Sequence, residues 1–105
     1  MFSFLKKGFE SVNVNELGDK LKGINLIDVR EPYEYKSGHL PKAKNIPMEN
    51  IMSSPSKYLD KEKEYFIICQ SGGRSSKVCS LLDREGFKVI NVAGGTGSYR
   101  GNLTR

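Results

Sequence analysis

The stretch Tyr65-Phe66-Ile67-Ile68-Cys69-Gln70-Ser71-Gly72-Gly73-Arg74-Ser75 changes character twice. Its first part, YFIIC, is a brief apolar and partly β-branched run without polar alternation, the pattern of a strand buried on both faces of a parallel sheet. Gln70 to Arg74 then reads as a tight loop. From Ser75 to Glu85, Val78, Leu81 and Leu82 stand at the i, i+3, i+4 positions of a core-facing helical stripe, and Gly86 follows where helices commonly stop. A strand that passes through a short glycine loop into a helix is a building unit of open α/β sheets. Ligands of such sheets bind beyond the carboxyl ends of the strands, where Cys69 falls.

Working outward, Ile24 to Val29 (INLIDV) repeats the buried-strand pattern and delivers Asp28 at its end. Phe87 to Val92 sets Phe87, Val89 and Asn91 against Lys88, Ile90 and Val92, consistent with a third strand, and Lys44 to Ile46 forms a minor fourth. Asn13 and Glu16 have capping-box spacing, with Leu17 and Leu21 four apart on one face, so a short helix is expected over Val14 to Lys22. Ser53 to Ser56 reads as a loop. Strands alternating with helices define the expected class: α/β, a small open, mainly parallel sheet with helices on both faces.

The chain has 105 residues, 37% of them hydrophobic. That suits a single domain over residues 1–105, which buries roughly 60–70% of its unfolded surface and needs no metal or disulfide staple. Cys69 and Cys79 cannot build a disulfide framework, so free thiols in a reducing compartment are expected. The net charge of +5 comes from scattered residues such as Lys6, Lys20, Lys42, Lys57, Lys77 and Lys88, with no basic run interleaved with aromatics. Nucleic acid is therefore not an expected partner, although a mild positive field speeds the arrival of small anions. The opening MFSFLKK is apolar before it is basic, the reverse of a secretory signal, and far too short to span a membrane. A cytoplasmic protein is expected, with a frayed N-terminus favoured over membrane contact through Phe2, Phe4, Leu5 and Phe9.

Cys69 carries the chemistry. In the loop Gln70-Ser71-Gly72-Gly73-Arg74-Ser75, Gly72 and Gly73 let the backbone curl until successive N–H groups point at one spot, an anion-binding nest reinforced by the following helix dipole. A cysteine at such a cradle, with Arg74 nearby, is expected to have a lowered pKa and to act as a nucleophile. Any anionic adduct would be held by the same donors. The plainer reading, a small apolar residue closing a buried strand, is outweighed by the C-x-x-G-x-R-S context. Cys79, beside Val78 in mid-helix, reads instead as core packing.

These residues resemble the single-domain rhodaneses, a sulfurtransferase family. The likeness covers about Glu10 to Gly101 and rests on four ordered stretches: LIDVREPYEYKSGHLPKAKNIP, FIICQSGGRS, the helix after it, and VAGG with Tyr99 behind. The resemblance implies that Cys69 takes a sulfane sulfur from a donor, holds it as a persulfide and yields it to a thiophilic acceptor. It implies that Arg74 supplies charge beside the loop or at its rim, that Ser75 caps the helix, and that Asp28 and Arg30 brace the backbone beneath the loop and each other. Taken alone, each of that pair reads equally as a strand-end acid and a surface base. His39 is expected to make structural hydrogen bonds near the site, with no metal because no second ligand has suitable spacing. Tyr33 and Tyr35 are expected to pack a short helix onto the sheet, and Gly94 and Gly95 to turn the backbone close to the active loop. Departures from the family pattern are Tyr99 for Trp, Lys42 for Gly, Gly73 for a larger polar residue, and Gly97 within the expected final helix.

The implied partners are a small anionic sulfur donor such as thiosulfate, polysulfide or a low-molecular-weight persulfide, and a thiol or cyanide acceptor; no resident cofactor is implied. A sulfur carrier or regulatory module loaded by a cysteine desulfurase or another relay protein would use the same cysteine, docking around Lys42, Lys44 and Arg74. A cysteine-dependent phosphatase fits poorly. Such loops place five residues between Cys and Arg, whereas Gln70 to Gly73 supplies four.

Overall fold

The computed structural model describes residues 8–105. Five parallel strands form one sheet in the order β1-β5-β4-β2-β3: β1 Glu10–Asn13, β2 Asn25–Asp28, β3 Lys44–Asn45, β4 Glu64–Ile68 and β5 Lys88–Ala93. The helices are α1 Pro32–Ser37, α2 Met48–Ser53, α3 Pro55–Tyr58, α4 Gly73–Arg84 and α5 Gly95–Ser98.

Successive strand residues point to opposite faces, and two cores result. On one face Ile27, Tyr65, Ile67 and Val89 pack with Ile51 of α2 and Val78, Cys79 and Leu82 of α4. On the other, Leu26, Ile68 and Val92 pack with Val14, Leu17, Leu21, Leu40 and Ala43. Both faces of β2, β4 and β5 are thereby covered, which is why their sequences are nearly continuous in apolar residues.

Local expectations meet four corrections. Strand β1 is an edge strand of mostly exposed residues, ESVN, which lack the apolar signature and acquire strand geometry by pairing with Ile90 to Ala93. The segment from Val14 to Lys22 is two 3-10 turns, Val14–Glu16 and Gly18–Lys22, separated where Gly18 takes φ +48°. The Asn13–Glu16 capping box is nonetheless formed, and Leu17 and Leu21 are buried as expected. Ser53 to Ser56 is no open loop: Ser53 ends α2, Ser54 breaks the chain direction, and Pro55 starts α3 from the first helical position that suits its fixed φ. Helix α4 begins at Gly73, two residues ahead of Ser75, because Gly72 at φ +110° completes the turn early.

Phe2, Phe4 and Leu5 lie outside the described residues, while Phe9 packs partly buried against the α4-side core. Among the described residues no helix is long and apolar enough to cross a membrane.

Candidate active site

Strands β2 and β4 run side by side in register, Asp28 opposite Ile68. Parallel pairing therefore brings the residues after both strands, Val29 to Arg30 and Cys69 to Gln70, to the same end of the sheet. Cys69 leaves β4 and its Sγ turns back under the loop, where it is only 1% exposed. The N–H of Gly72 donates to Sγ at 3.1 Å and that of Ser75 at 3.3 Å. Ser75 Oγ lies 3.4 Å from the sulfur and donates to the Gly72 carbonyl at 3.2 Å.

Ser75 accordingly is not the helix cap. It is the third residue of α4, and its N–H is one of the first-turn donors that a helix leaves without an intrahelical acceptor. The sulfur fills that role. Burial alone would raise the Cys69 pKa, but the Ser75 hydroxyl and the N–H groups of Ser75, Gly72 and Ser71 outweigh it and hold the thiol below its ordinary value.

Arg74 stands at the rim of the loop. Its guanidinium is gripped by Glu34 of α1 through Nη1–Oε1 at 2.7 Å and Nη2–Oε2 at 2.9 Å, a bidentate pair half-buried on the rim. Hydrogen bonding to Arg74 holds the Glu34 carboxyl down at about 2, and Glu34 in turn raises Arg74. The donors on Cys69 are backbone N–H groups, and Arg74 ties α1 to the first turn of α4. Glu34 carries a sequence signal only for helix capping, since Glu31 and Glu34 form a capping box around Pro32. Nothing local announces a partner forty positions away.

Asp28 and Arg30 are fully buried and paired, with Arg30 Nη2 2.9 Å and Nε 3.0 and 3.2 Å from the carboxylate. The Arg30 N–H also donates to Asp28 Oδ1 at 3.0 Å. The remaining guanidinium donors reach the Gly38 carbonyl at 2.8 Å and Gln70 Oε1 at 3.0 Å. The pair lies below the loop, and Arg30 hydrogen-bonds the first loop residue after Cys69. Asn45 Nδ2 donates to the carbonyls of Asp28 and Arg30, both at 3.0 Å, securing the same corner.

His39 stacks flat on Tyr35 at 3.7 Å, with Nδ1 2.9 Å from the Tyr35 carbonyl, and its backbone pairs with Thr104. Its bonds are structural ones. Tyr35 packs against the sheet and donates to the Ala43 carbonyl, but Tyr33 departs from expectation: it is 75% exposed because it lies on the solvent side of the six-residue α1.

The turn after β5 forms the other wall. Thr96 N–H donates to the Cys69 carbonyl and Gly97 N–H to the Gln70 carbonyl, each at 2.9 Å. A Cβ at Gly95 would stand 2.5 Å from both of those carbonyl oxygens. A Cβ at Gly97 would stand 2.9 Å from Gln70 Nε2, so the glycine that weakens α5 as a helix makes room for the loop. Cys79 is fully buried, its thiol pushed up to about 12 chiefly by burial, as a core residue should be.

The buried thiol thus sits on helix and loop donors at the carboxyl end of a central strand of an α/β sheet. The chain belongs to the rhodanese-like domain family, whose model matches residues 13–102. It is similar to YtwF of Bacillus subtilis, 50% identical over 78 residues that make up 72% of this chain and 73% of that one. It is similar also to a protein of Allochromatium vinosum named sulfurtransferase, 37% identical over 71 residues, 67% of this chain and 65% of that one. Among solved structures, SSP1007 of Staphylococcus saprophyticus superposes with a TM-score of 0.81 at 35% identity, covering 92% of this chain and all of that one.

Proposed function

We propose that this protein is a sulfurtransferase that carries a sulfane sulfur as a persulfide on Cys69. The observation that carries this reading is the pair of N–H donors converging on Sγ, those of Gly72 and Ser75 at 3.1 and 3.3 Å, with Ser75 Oγ in contact at 3.4 Å. They stabilise the thiolate before reaction and suit an anionic sulfur afterwards, without reorganisation.

With thiosulfate as donor, the Cys69 thiolate attacks the outer sulfur, the new S–S bond forms as the donor S–S bond breaks, and the bonding pair leaves with sulfite. The product is Cys69–S–S⁻. In the second half-reaction a nucleophilic acceptor attacks the outer sulfur and the thiolate is regenerated: cyanide leaves as thiocyanate, and a thiolate leaves as a new persulfide. No electrons are gained or lost overall, which is why free thiols and no redox cofactor suffice. Polysulfides and low-molecular-weight persulfides present the same outer sulfur. Because Cys69 is buried at the bottom of the loop, the acceptable donors are those that offer a slim terminal sulfur. Both cysteines are free, in keeping with a reducing, cytoplasmic setting.

Intact-mass measurement tests this directly. The reduced protein incubated with thiosulfate or polysulfide should gain one sulfur, lose it to cyanide as thiocyanate, and gain none as Cys69→Ala. Loading that persists in Cys69→Ala would move the chemistry to another residue. If no small donor loads the wild type but a protein persulfide does, the carrier form of the same chemistry replaces the free-standing one.

A further inference from the structure

A second cationic feature lies at the other end of the strands. Ile24 to Ile27 along β2, Tyr65 at the start of β4, and Tyr58, Lys42, Lys44 and Lys63 enclose an open cleft of about 300 Å³. Four strand residues at about 3.3 Å each separate Tyr65 from Cys69, roughly 13 Å, and neither Cys69 nor its loop lines this cleft.

Three features make this cleft more than a solvated face. Its charge is of one sign: three lysines and no carboxylate line it. Among the described residues none of the three lysines makes an ion pair; the pairs there are Asp28–Arg30 and Glu34–Arg74. Asp60, Glu62 and Glu64 are exposed near Lys63 in the chain, yet none lines the cleft, and the Asp60 carboxylate accepts the Glu62 N–H. Finally, Lys42 is the described non-glycine residue with positive φ, at +72°. It is the third residue of the turn Leu40-Pro41-Lys42-Ala43, closed by Ala43 N–H on the Leu40 carbonyl at 3.1 Å. Proline in the second place and positive φ in the third is the pattern of a type II turn, whose third place glycine fills without strain. A lysine is held there at a conformational cost, and it lines the cleft.

We propose that this cleft is a second anion site, separate from the Cys69 cradle, which binds a compact small molecule carrying several negative charges in phosphate or carboxylate groups. The volume lies at the lower limit for ligand pockets and suits a small polyanion. Three unpaired ammonium groups around one space lower its energy at every added negative charge, and salt weakens that attraction. The flanking Tyr58 and Tyr65 rings and the β2 side chains supply a firm wall behind the charges.

The test is an NMR titration of amide resonances with inorganic pyrophosphate, and separately with citrate, at low and at physiological ionic strength. It compares the wild type with Lys42→Gly/Lys63→Gln. The first substitution suits the turn, so the variant should fold, keep its spectrum outside the cleft, and load sulfur on Cys69 as the wild type does. Expected are shifts at Asn25, Lys42, Lys44 and Lys63 in the wild type, weakened by salt and about tenfold weaker in affinity in the variant, equivalent to about 1.4 kcal/mol. A response to pyrophosphate alone identifies phosphate as the recognised group; a response to both identifies charge. Shifts confined to residues 69–75, or equal in variant and wild type, would overturn the proposal. So would binding of a polyglutamate peptide with neither small anion, which would make the cleft a protein-docking face.

Discussion

At Cys69 the decisive quantity is the balance between burial, which favours the neutral thiol, and hydrogen bonds, which favour the thiolate. Ser75→Ala removes the hydroxyl and keeps the N–H, so the thiol pKa should rise and sulfur loading at neutral pH should slow several-fold. The rate of persulfide formation followed by mass against pH would show this as a midpoint moved to higher pH. An unchanged profile would assign the lowering to the backbone alone. Glu34 titrates on the acid side. Its folded pKa of about 2 lies below the ordinary 4.5, so the Arg74 pair stabilises the fold above about pH 4.5 and loses that contribution as pH falls toward 2. For a rim pair partly open to solvent this is roughly 1 kcal/mol. Urea unfolding of Glu34→Gln should show that deficit at pH 7, and the deficit should shrink by pH 3.

Short elements decide where the loop sits. Helix α5 has four residues, one of them Gly97 in mid-helix, and is marginal as a helix; its position follows from the two N–H bonds it gives to the Cys69 and Gln70 carbonyls. Gly95→Ala would drive a methyl group to 2.5 Å from both carbonyl oxygens and strain a φ of +62°. Destabilisation of about 2–4 kcal/mol is expected in urea unfolding, with sulfur loading impaired even where the fold survives. The Leu40–Ala43 turn predicts the opposite sign. Lys42→Gly relieves the positive φ while raising unfolded-state entropy, so stability should be unchanged or greater by up to about 1 kcal/mol. A clear loss in Tm would mean that the lysine side chain packs where the backbone argument gives it no role.

Across the whole molecule, the site is an intersection of separate segments: β2 brings Asp28 and Arg30, β4 brings Cys69, α1 brings Glu34, and the turn after β5 closes the wall. The buried Asp28–Arg30 pair couples the first two. Asp28→Ala would leave the Arg30 guanidinium buried without its carboxylate and should cost about 3–5 kcal/mol in equilibrium unfolding. Replacing both residues by apolar ones of similar volume should cost less, although Gln70 would lose its anchor and loading would slow. Equal costs for the single and double replacements would show that the charge itself is not the penalty.

Cys69, its loop and the three buried strands were legible in the residues because each signal is local: an apolar run, a glycine turn or a helical stripe lies within a short stretch of chain. Cys79 was legible for the same reason, by its place beside Val78 in mid-helix. Strand β1 was not. ESVN is mostly exposed and polar, and becomes a strand only because the edge of β5 offers it hydrogen bonds. The partner of Arg74 was equally invisible, since a charge pairs with whichever opposite charge the fold delivers, and Glu34 arrives on another helix. Tertiary structure also decided that Ser75 donates from inside the helix, and that Lys42, Lys44 and Lys63 converge away from the sulfur. Those facts depend on parallel register and on the direction of side chains leaving a sheet, which local pattern does not encode.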